Sequence, residues 1–343
     1  MSSAKIYSAV CLLATSACLA AWSGEAEQPQ CDDAALTPYG TYQCEVSTPE
    51  QLAGLAEMLN NLAEVPTVYL TLTDDLIFGD DSTSISEFPW KPIAKFNGFF
   101  NGNGHTIYGL NIAASDSALG LFVFFKGTAE KLTIANSRLY YKSDSSASHG
   151  SIYAGLFAGQ ADATLKNIHN QANTITYNDS LNNKKRKEVY IGGIVGKIKG
   201  QIDSCSNSSN ITAVFDWIWK AYLGGIVGYA YDASISNSSN VGNISNTGSV
   251  GKYGVFVGGI AGKNGEQRTI LNCKNSGTIS STGYRVGGIV GEGSIFDFCE
   301  NSGSITNNYL AQSSMDSSFV GGIAGTSGNI MNSINRSEEH TSE

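Results

Sequence analysis

Catalysis and metal binding need acids, bases, nucleophiles or ligands brought together, and this chain supplies few candidates. None of its four histidines sits in an H-E-x-x-H pattern, and no serine–histidine–aspartate set stands out. Asp74, Asp75, Asp80, Asp81 and Glu87 crowd into "TDDLIFGDDSTSISE" at 73–87. Carboxylates suit calcium, but EF-hand spacing is absent, so the expectation is a solvated acidic loop. Glycoside hydrolysis needs two carboxylates within roughly 5–10 Å of each other. Asp203 and Asp297 occupy similar places in two repeats, but Asn237 and Asn272 fill the repeats between them. "NGNGH" at 101–105 matches neither a dinucleotide fingerprint nor a phosphate loop. No catalytic residue, metal site or cofactor is expected.

The most pointed surface candidate is "VFDWIWKAY" at 214–222. In an extended strand Trp217 and Trp219 face one way, with Phe215 beside them and Tyr222 close by. Such a strip can stack on sugar rings or anchor a protein, so Phe215, Trp217, Trp219 and Tyr222 are the candidate contacts for a glycan or a host or cell-surface protein. The competing reading packs these aromatics against the flank of the fold. The basic run "NNKKRKE" at 182–188 reads as a solvated loop.

These residues have to be positioned by something, and the chain writes it repeatedly. "IGGIVGKIKGQIDSCSNSSNIT" from Ile191, "LGGIVGYAYDASISNSSNVGNIS" from Leu223, "VGGIAGKNGEQRTILNCKNSGTIS" from Val257, "VGGIVGEGSIFDFCENSGSIT" from Val286 and "VGGIAGTSGNIMNSIN" from Val320 are copies of one unit. Weaker copies begin at Ala154 and Leu119. The second glycine, at Gly193, Gly225, Gly259, Gly288 and Gly322, recurs about every 30 residues, which signals a solenoid. Helical spacing of apolar residues is missing. Each copy instead holds three short β-type segments separated by turn residues. The fold expected is all-β: a right-handed parallel β-helix of roughly 30 residues per coil, with coils about 4.8 Å apart.

Stacked coils turn each repeated position into a column. Ile194, Ile226, Ile260, Ile289 and Ile323 are expected to line the interior, where burial worth roughly 1.5–3 kcal/mol each outweighs the flanking glycines. Asn170, Asn207, Asn240, Asn275, Asn301 and Asn335 form a second column, with amides bonding to the coils above and below. Glycosylation is the rival reading, because "NSS" and "NIT" are acceptor triplets. Two residues earlier, Ile168, Cys205, Ser238, Cys273, Cys299 and Ser333 form a third column of small side chains. A metal reading fails there for want of C-x-x-C spacing and partner histidines.

At these residues the chain resembles proteins carrying the GLUG motif, a short repeat of bacterial surface and secreted proteins. "GIVG" at Gly193, Gly225 and Gly288 and "GIAG" at Gly259 and Gly322 carry the resemblance, whereas "GLFA" at Gly155 and "GLFV" at Gly120 lack a closing glycine. It implies extracellular β-helical stalks and adhesive regions, sometimes attached to a separate peptidase domain. The function expected is a non-enzymatic surface or secreted module for adhesion, ligand binding or spacing. The alternative is a β-helical carbohydrate-active enzyme, or the stalk of one.

The termini complete the organisation. Lys5 precedes the apolar run 6–21, and small residues follow in "SGEAEQ", the layout of a signal peptide cut after Ala26. Lipidation at Cys18 in "TSAC" is a second route. Residues 27–46 form an N-terminal segment. Cys31 and Cys44 close a short loop and are expected to pair in an oxidising compartment. Residues 47–118 hold a cap and lead-in coil: "STPEQLAGLAEMLNNLA" reads as a helix capped by Thr48 or Ser47, with Leu52, Leu55, Leu59 and Leu62 on one face. Residues 119–335 are the GLUG-type repeats. The last eight residues, "RSEEHTSE" at 336–343, break the pattern and resemble sequencing-adapter read-through, so they are set apart from the fold. The formal charge of -9 argues against nucleic acid or anionic membrane as partner, and no later apolar run is long enough to span a bilayer.

Overall fold

The computed structural model describes residues 21–32, 39–114, 118–143, 150–179, 188–250, 254–309 and 318–337. The basic residues 182–187, His149, the leader residues 1–20 and the tail residues 338–343 lie outside the described residues. Among those described, no helix is long and apolar enough to cross a membrane.

The chain is a β-solenoid of about seven turns of about 34 residues, with parallel sheets and one short helix near its N-terminus. Each turn visits three sheets in order. Glu188–Gly192 lies in a side sheet, Val195–Asp203 in the long sheet, and Asn210–Ile218 in the other side sheet. Turns exceed the 30 residues expected because connections between the two side sheets, such as that from Asn178 to Glu188, carry extra residues.

Registers hold the same position at each level. Ile112, Leu139, Ile175, Ile211, Ile244, Ile279 and Ile305 pair in succession down one side sheet. At the corner, Ile194 N donates to Ile226 O, Ile226 N to Ile260 O, Ile260 N to Ile289 O and Ile289 N to Ile323 O, at 2.8–3.0 Å. The first four of these isoleucines are fully buried. In the earlier coils the interior is filled by Phe96, Phe100, Phe122, Phe125 and Phe157, whose rings lie 5.0–6.4 Å apart where they touch.

The asparagine ladder is built as hydrogen bonds. Nδ2 of Asn207, Asn240 and Asn275 each donates to Oδ1 of the next asparagine at 2.8–2.9 Å, and Asn301 does the same to Asn335. Each Nδ2 also donates to a carbonyl two residues downstream in its own coil. Asn170 shares the register of Asn207, but its amide turns to Gly193 O instead. The ladder proper therefore starts at Asn207, the first member seated against a second glycine, Gly193. The ladder residues are strand residues, and left-handed backbone falls three positions earlier, at Asn167, Ser204, Asn237, Asn272, Phe298 and Asn332.

Two glycines of each unit work by close approach. A Cβ on Gly225 would lie 2.2 Å from Gly259 O and 2.3 Å from Asn240 Cγ, so the second glycine is the seat of the ladder. A Cβ on Gly228 would lie 2.7 Å from Ile191 N and 2.9 Å from Tyr222 O. The closing glycine thus lets the long sheet fold hard against the side sheet. Ala158 pairs with Val195, which places Gly159 in that closing position. The copy at Ala154 does possess a closing glycine, and what it lacks is the second one.

Cys205, Cys273 and Cys299 are free and buried. Burial pushes the Cys205 thiol up to about 12 and raises the Cys273 and Cys299 thiols as well. Cys273 and Cys299, adjacent in the stack, remain unbridged. A thiol reagent added to the folded, leader-free chain is expected to label none of the three, and to label all three in denaturant. Labelling of the folded chain at any of them would place that coil open to solvent.

At the N-terminal end, Thr41–Val46 pairs parallel to Thr67–Leu72, and Gln30–Cys31 lies antiparallel on its far side. Cys31 sits directly opposite Cys44 and is disulfide-bonded to it. An antiparallel strand fastened there closes the sheet edge to further parallel pairing. The helix Pro49–Asn60 follows, with Thr48 as its N-cap and Gln51 Oε1 accepting from Ser47 N. Leu52, Leu55 and Leu59 enter the main core. Ahead of all this, Trp22 is 5% exposed, with ring centroids 5.0 Å from Phe78 and 6.3 Å from Trp90.

Candidate ligand-binding face

Outward positions of the side sheet that runs from Ala118 to Gly321 carry an aromatic column. Tyr153 pairs with Tyr190, Tyr190 with Tyr222 and Tyr222 with Phe256. Their rings stack at 4.9, 5.1 and 5.1 Å with interplanar angles of 5°, 14° and 21°. The spacing of parallel strands is close to the stacking distance of rings, so a repeated outward aromatic becomes a continuous pile. One coil further on, the position belongs to Arg285, followed by Phe319. The Arg285 guanidinium lies 5.4 Å from the Phe256 ring and 5.9 Å from that of Phe319, so a planar cation continues the stack. Glu292 pairs with both Arg285 and Lys263.

The corner glycines bring a second column against the first. On the long sheet Lys197, Tyr229, Lys263 and Glu292 follow one another in register. The Tyr229 ring reaches 5.2 Å from Tyr222. Lys197 Nζ lies 5.2 Å from the Tyr190 ring, 5.7 Å from Tyr229 and 5.2 Å from Tyr231. Tyr231 owes its position to a bulge. Ile198 pairs with Ala230 and Lys199 with Asp232, leaving Tyr231 unpaired between them. It is 57% exposed and stands edge-on to Tyr229 at 5.7 Å. Bulges often re-aim a side chain in this way. Beside it, Asp232 is ion-paired with Arg268.

The arrangement suits recognition. A solvent-facing phenol ring can lie on the apolar face of a sugar, while lysine and arginine beside it hydrogen-bond to hydroxyls or an acidic group. The buried phenols offer no base. The Tyr190 hydroxyl donates to Glu188, and burial together with that bond raises its pKa well above the ordinary tyrosine value. Burial raises Tyr222 likewise.

The residues singled out from sequence are dispersed by the fold. Phe215 is 1% exposed and faces the core, 5.5 Å from Tyr177, so it is no surface contact. The Trp217 side chain lies outside the described residues. Trp219 is half-buried, and Tyr222 sits within the outward pile. Tyr153, Tyr190, Tyr229, Tyr231 and Lys197 were not anticipated. A signal existed: an aromatic stands three before the second glycine in "YIGG", "YLGG" and both "FVGG" units.

The acidic candidates are tied into local structure. Asp75 accepts from Thr106 N at 2.8 Å and lies 3.3 Å from His105 Nδ1. The Asp81 carboxylate is held below its usual range by the Thr83 hydroxyl and by backbone donors of the same turn. Asp203 accepts from Ser236 at 2.6 Å and Asn237 at 2.8 Å, bonds that likewise lower its pKa. Its neighbours in register are Lys166 and Ser236, and the residues that stand between it and Asp297 are Ser236 and Leu271 rather than Asn237 and Asn272. Among the described residues, no group of three or more His, Cys, Asp or Glu side chains converges.

The GLUG motif family model matches residues 221–245, a stretch that holds Tyr222 of the aromatic pile, the corner glycines, Tyr231 and ladder residue Asn240. No curated protein matches this chain. A solved structure from Bacteroides ovatus, provisionally described as an immunoglobulin A1 protease, resembles it with a TM-score of 0.58 and 16% identity, covering 85% of this chain and 84% of that one. At that identity the likeness is one of fold.

Proposed function

We propose that this chain is a non-enzymatic β-helical module, acting at the cell surface or outside the cell, that binds a glycan through its aromatic face. The observation that carries this reading is Tyr231, extruded by a bulge onto solvent beside the stacked Tyr229 and the Lys197 ammonium. A solenoid whose interior polar groups are met by ladders is a stiff scaffold, and its repeated outward positions present one surface over several coils.

Glycan-array screening followed by titration calorimetry tests it. Tyr231→Ala is expected to weaken glycan binding at least about tenfold, equivalent to about 1.4 kcal/mol, with the melting temperature unchanged. Binding that survives Tyr231→Ala and Lys197→Met together would remove this face as the site, and capture of a cell-surface protein without any glycan would change the partner class. Release of product from a polysaccharide by the purified chain would establish the enzyme instead. A second reading, a stalk within a larger protease, draws on the description of the Bacteroides ovatus neighbour. It predicts that immunoglobulin A1 is cleaved by the full gene product and not by this solenoid.

A further inference from the structure

The charges around the aromatic face are matched, with one exception. Arg268 is ion-paired with Asp232, and both Arg285 and Lys263 are ion-paired with Glu292. Lys199 stands in register between Asp162 and Asp232, with a carboxylate residue on each side. Lys197 differs. Its neighbours in register are Gln160 and Tyr229, neither of them charged. Among the described residues it joins no ion pair. Three phenol rings surround its Nζ instead, those of Tyr190, Tyr229 and Tyr231, at 5.2–5.7 Å. Ring faces attract an ammonium, but they offer its N–H donors no lone pair of the kind a carboxylate supplies.

We infer that the glycan taken by this face ends in one acidic sugar, whose ring lies on Tyr231 and whose carboxylate meets the Lys197 ammonium. The inference rests on the reading of the face as a glycan site and adds the class of ligand to it. Tyr231 is 57% exposed and its ring centroid lies 5.2 Å from Lys197 Nζ. A hexuronic acid and a nonulosonic acid each carry a carboxyl group bonded directly to a ring carbon, so either one seated on that phenol brings its carboxylate to the ammonium. Lys197 is half-buried, where a charge-assisted hydrogen bond is worth more than at a fully solvated surface.

The same surroundings hold the ligand to a single charge. Burial raises the Tyr229 phenol, and Tyr231, Glu188 and Glu266 raise it further, so two more carboxylates stand around the ring beside Lys197. The cations nearest to them are held by Glu292 and Asp232. A second anionic group on the ligand would therefore meet carboxylates with no spare cation, on a chain whose formal charge is already -9. An isolated carboxylate at the end of a glycan is matched. A sulfated or polyuronate chain is not.

Titration calorimetry of the purified chain at physiological salt tests this with sialyllactose, with a glucuronic-acid-ended oligosaccharide, and with the carboxamide of each, which keeps the shape and removes the charge. At least one acid is expected to bind about tenfold or more tightly than its own amide, and the acid with the larger ratio identifies the sugar. Lys197→Met should bring that acid down to the affinity of its amide, and Tyr231→Ala should weaken acid and amide alike. Lys197→Arg retains the charge and is expected to keep most of the preference, which separates loss of the ammonium from loosening of the coil. Equal binding of acid and amide by the wild type overturns the inference and leaves the glycan reading standing. So does a preference for acid that survives Lys197→Met, or heparin binding more tightly than either acid. Loss of every glycan, neutral ones included, takes the glycan reading down with it.

Discussion

Gly225→Ala is expected to destabilise the solenoid by roughly 3 kcal/mol or more, a large effect for one added methyl. The new Cβ would stand 2.2 Å from Gly259 O and 2.3 Å from Asn240 Cγ. Neither can yield. The oxygen belongs to the next coil and already accepts from Gly225 N. The Asn240 amide is held on three sides, by Asn207, by Gly242 O and by Asn275. Gly150→Ala is the control, because a Cβ there meets nothing within 4 Å, and its effect is expected within about 0.5 kcal/mol. Gly322→Ala should fall between them. The three atoms nearest its Cβ all belong to the side chain of Asn335, which is exposed in the last coil and bonded to one ladder asparagine instead of two. Denaturant midpoints followed by circular dichroism give the ranking. Equal midpoints for Gly225→Ala and Gly150→Ala would mean that the coils breathe enough to admit a methyl, and the seat would lose its role.

The solenoid was legible because its period is written in residue types. Ile194 and Ile226 stand 32 apart in sequence and in contact through the backbone, and no tertiary information is needed to align them. Asparagine was harder. The same residue type serves the ladder at Asn240 and the left-handed bend at Asn237, and spacing does not say which asparagine does which. Geometry separates them: the ladder position needs an amide aimed along the stack, while the bend needs only tolerance of positive φ. Motif spelling misaligns the weaker copy at Ala154 by one glycine, because hydrogen-bond register decides which glycine is which.

The candidate site was less legible for a reason of the same kind. "VFDWIWKAY" draws attention by density of aromatics, but neighbours along a strand alternate between faces, so Phe215 goes inside. Residues that form a surface on a solenoid are neighbours across strands, one per coil, and look isolated in sequence. Tyr190, Tyr222 and Phe256 come one per coil, 32 and 34 residues apart in sequence. Tyr231 depends on a count. Val195 to Ile202 spans seven steps and Val227 to Ile235 spans eight, so one residue must leave the ladder, but only the backbone shows that it is Tyr231. A pile of this sort also stabilises the fold, which is why Tyr231, outside the pile and exposed, is the residue by which binding is tested apart from folding.

Asn240→Asp is expected to turn the ladder into a pH-dependent element. The ionised carboxylate introduced by that change can still accept from Asn207 Nδ2, but its second oxygen would face Gly242 O and Asn275 Oδ1, both acceptors, in a place 1% exposed. Burial and that opposition favour the neutral acid, so the folded-state pKa lies above the unfolded value of about 3.9. The sign follows. The folded state holds the proton more tightly, so the variant's deficit is least below about pH 4 and grows as pH rises to the folded pKa, where it levels off. At pH 7 the loss should reach about 3–5 kcal/mol. Asn240→Ala, which leaves the same acceptors unmet without adding a charge, should lose about 2–4 kcal/mol at every pH. Other carboxylates titrate in both proteins, so the quantity to measure is the difference from wild type at pH 4 and pH 8. A difference for Asn240→Asp that stays flat between those values would mean that water reaches the ladder and screens it, and bonds seen at 2.8–2.9 Å would then contribute little to holding the coils together.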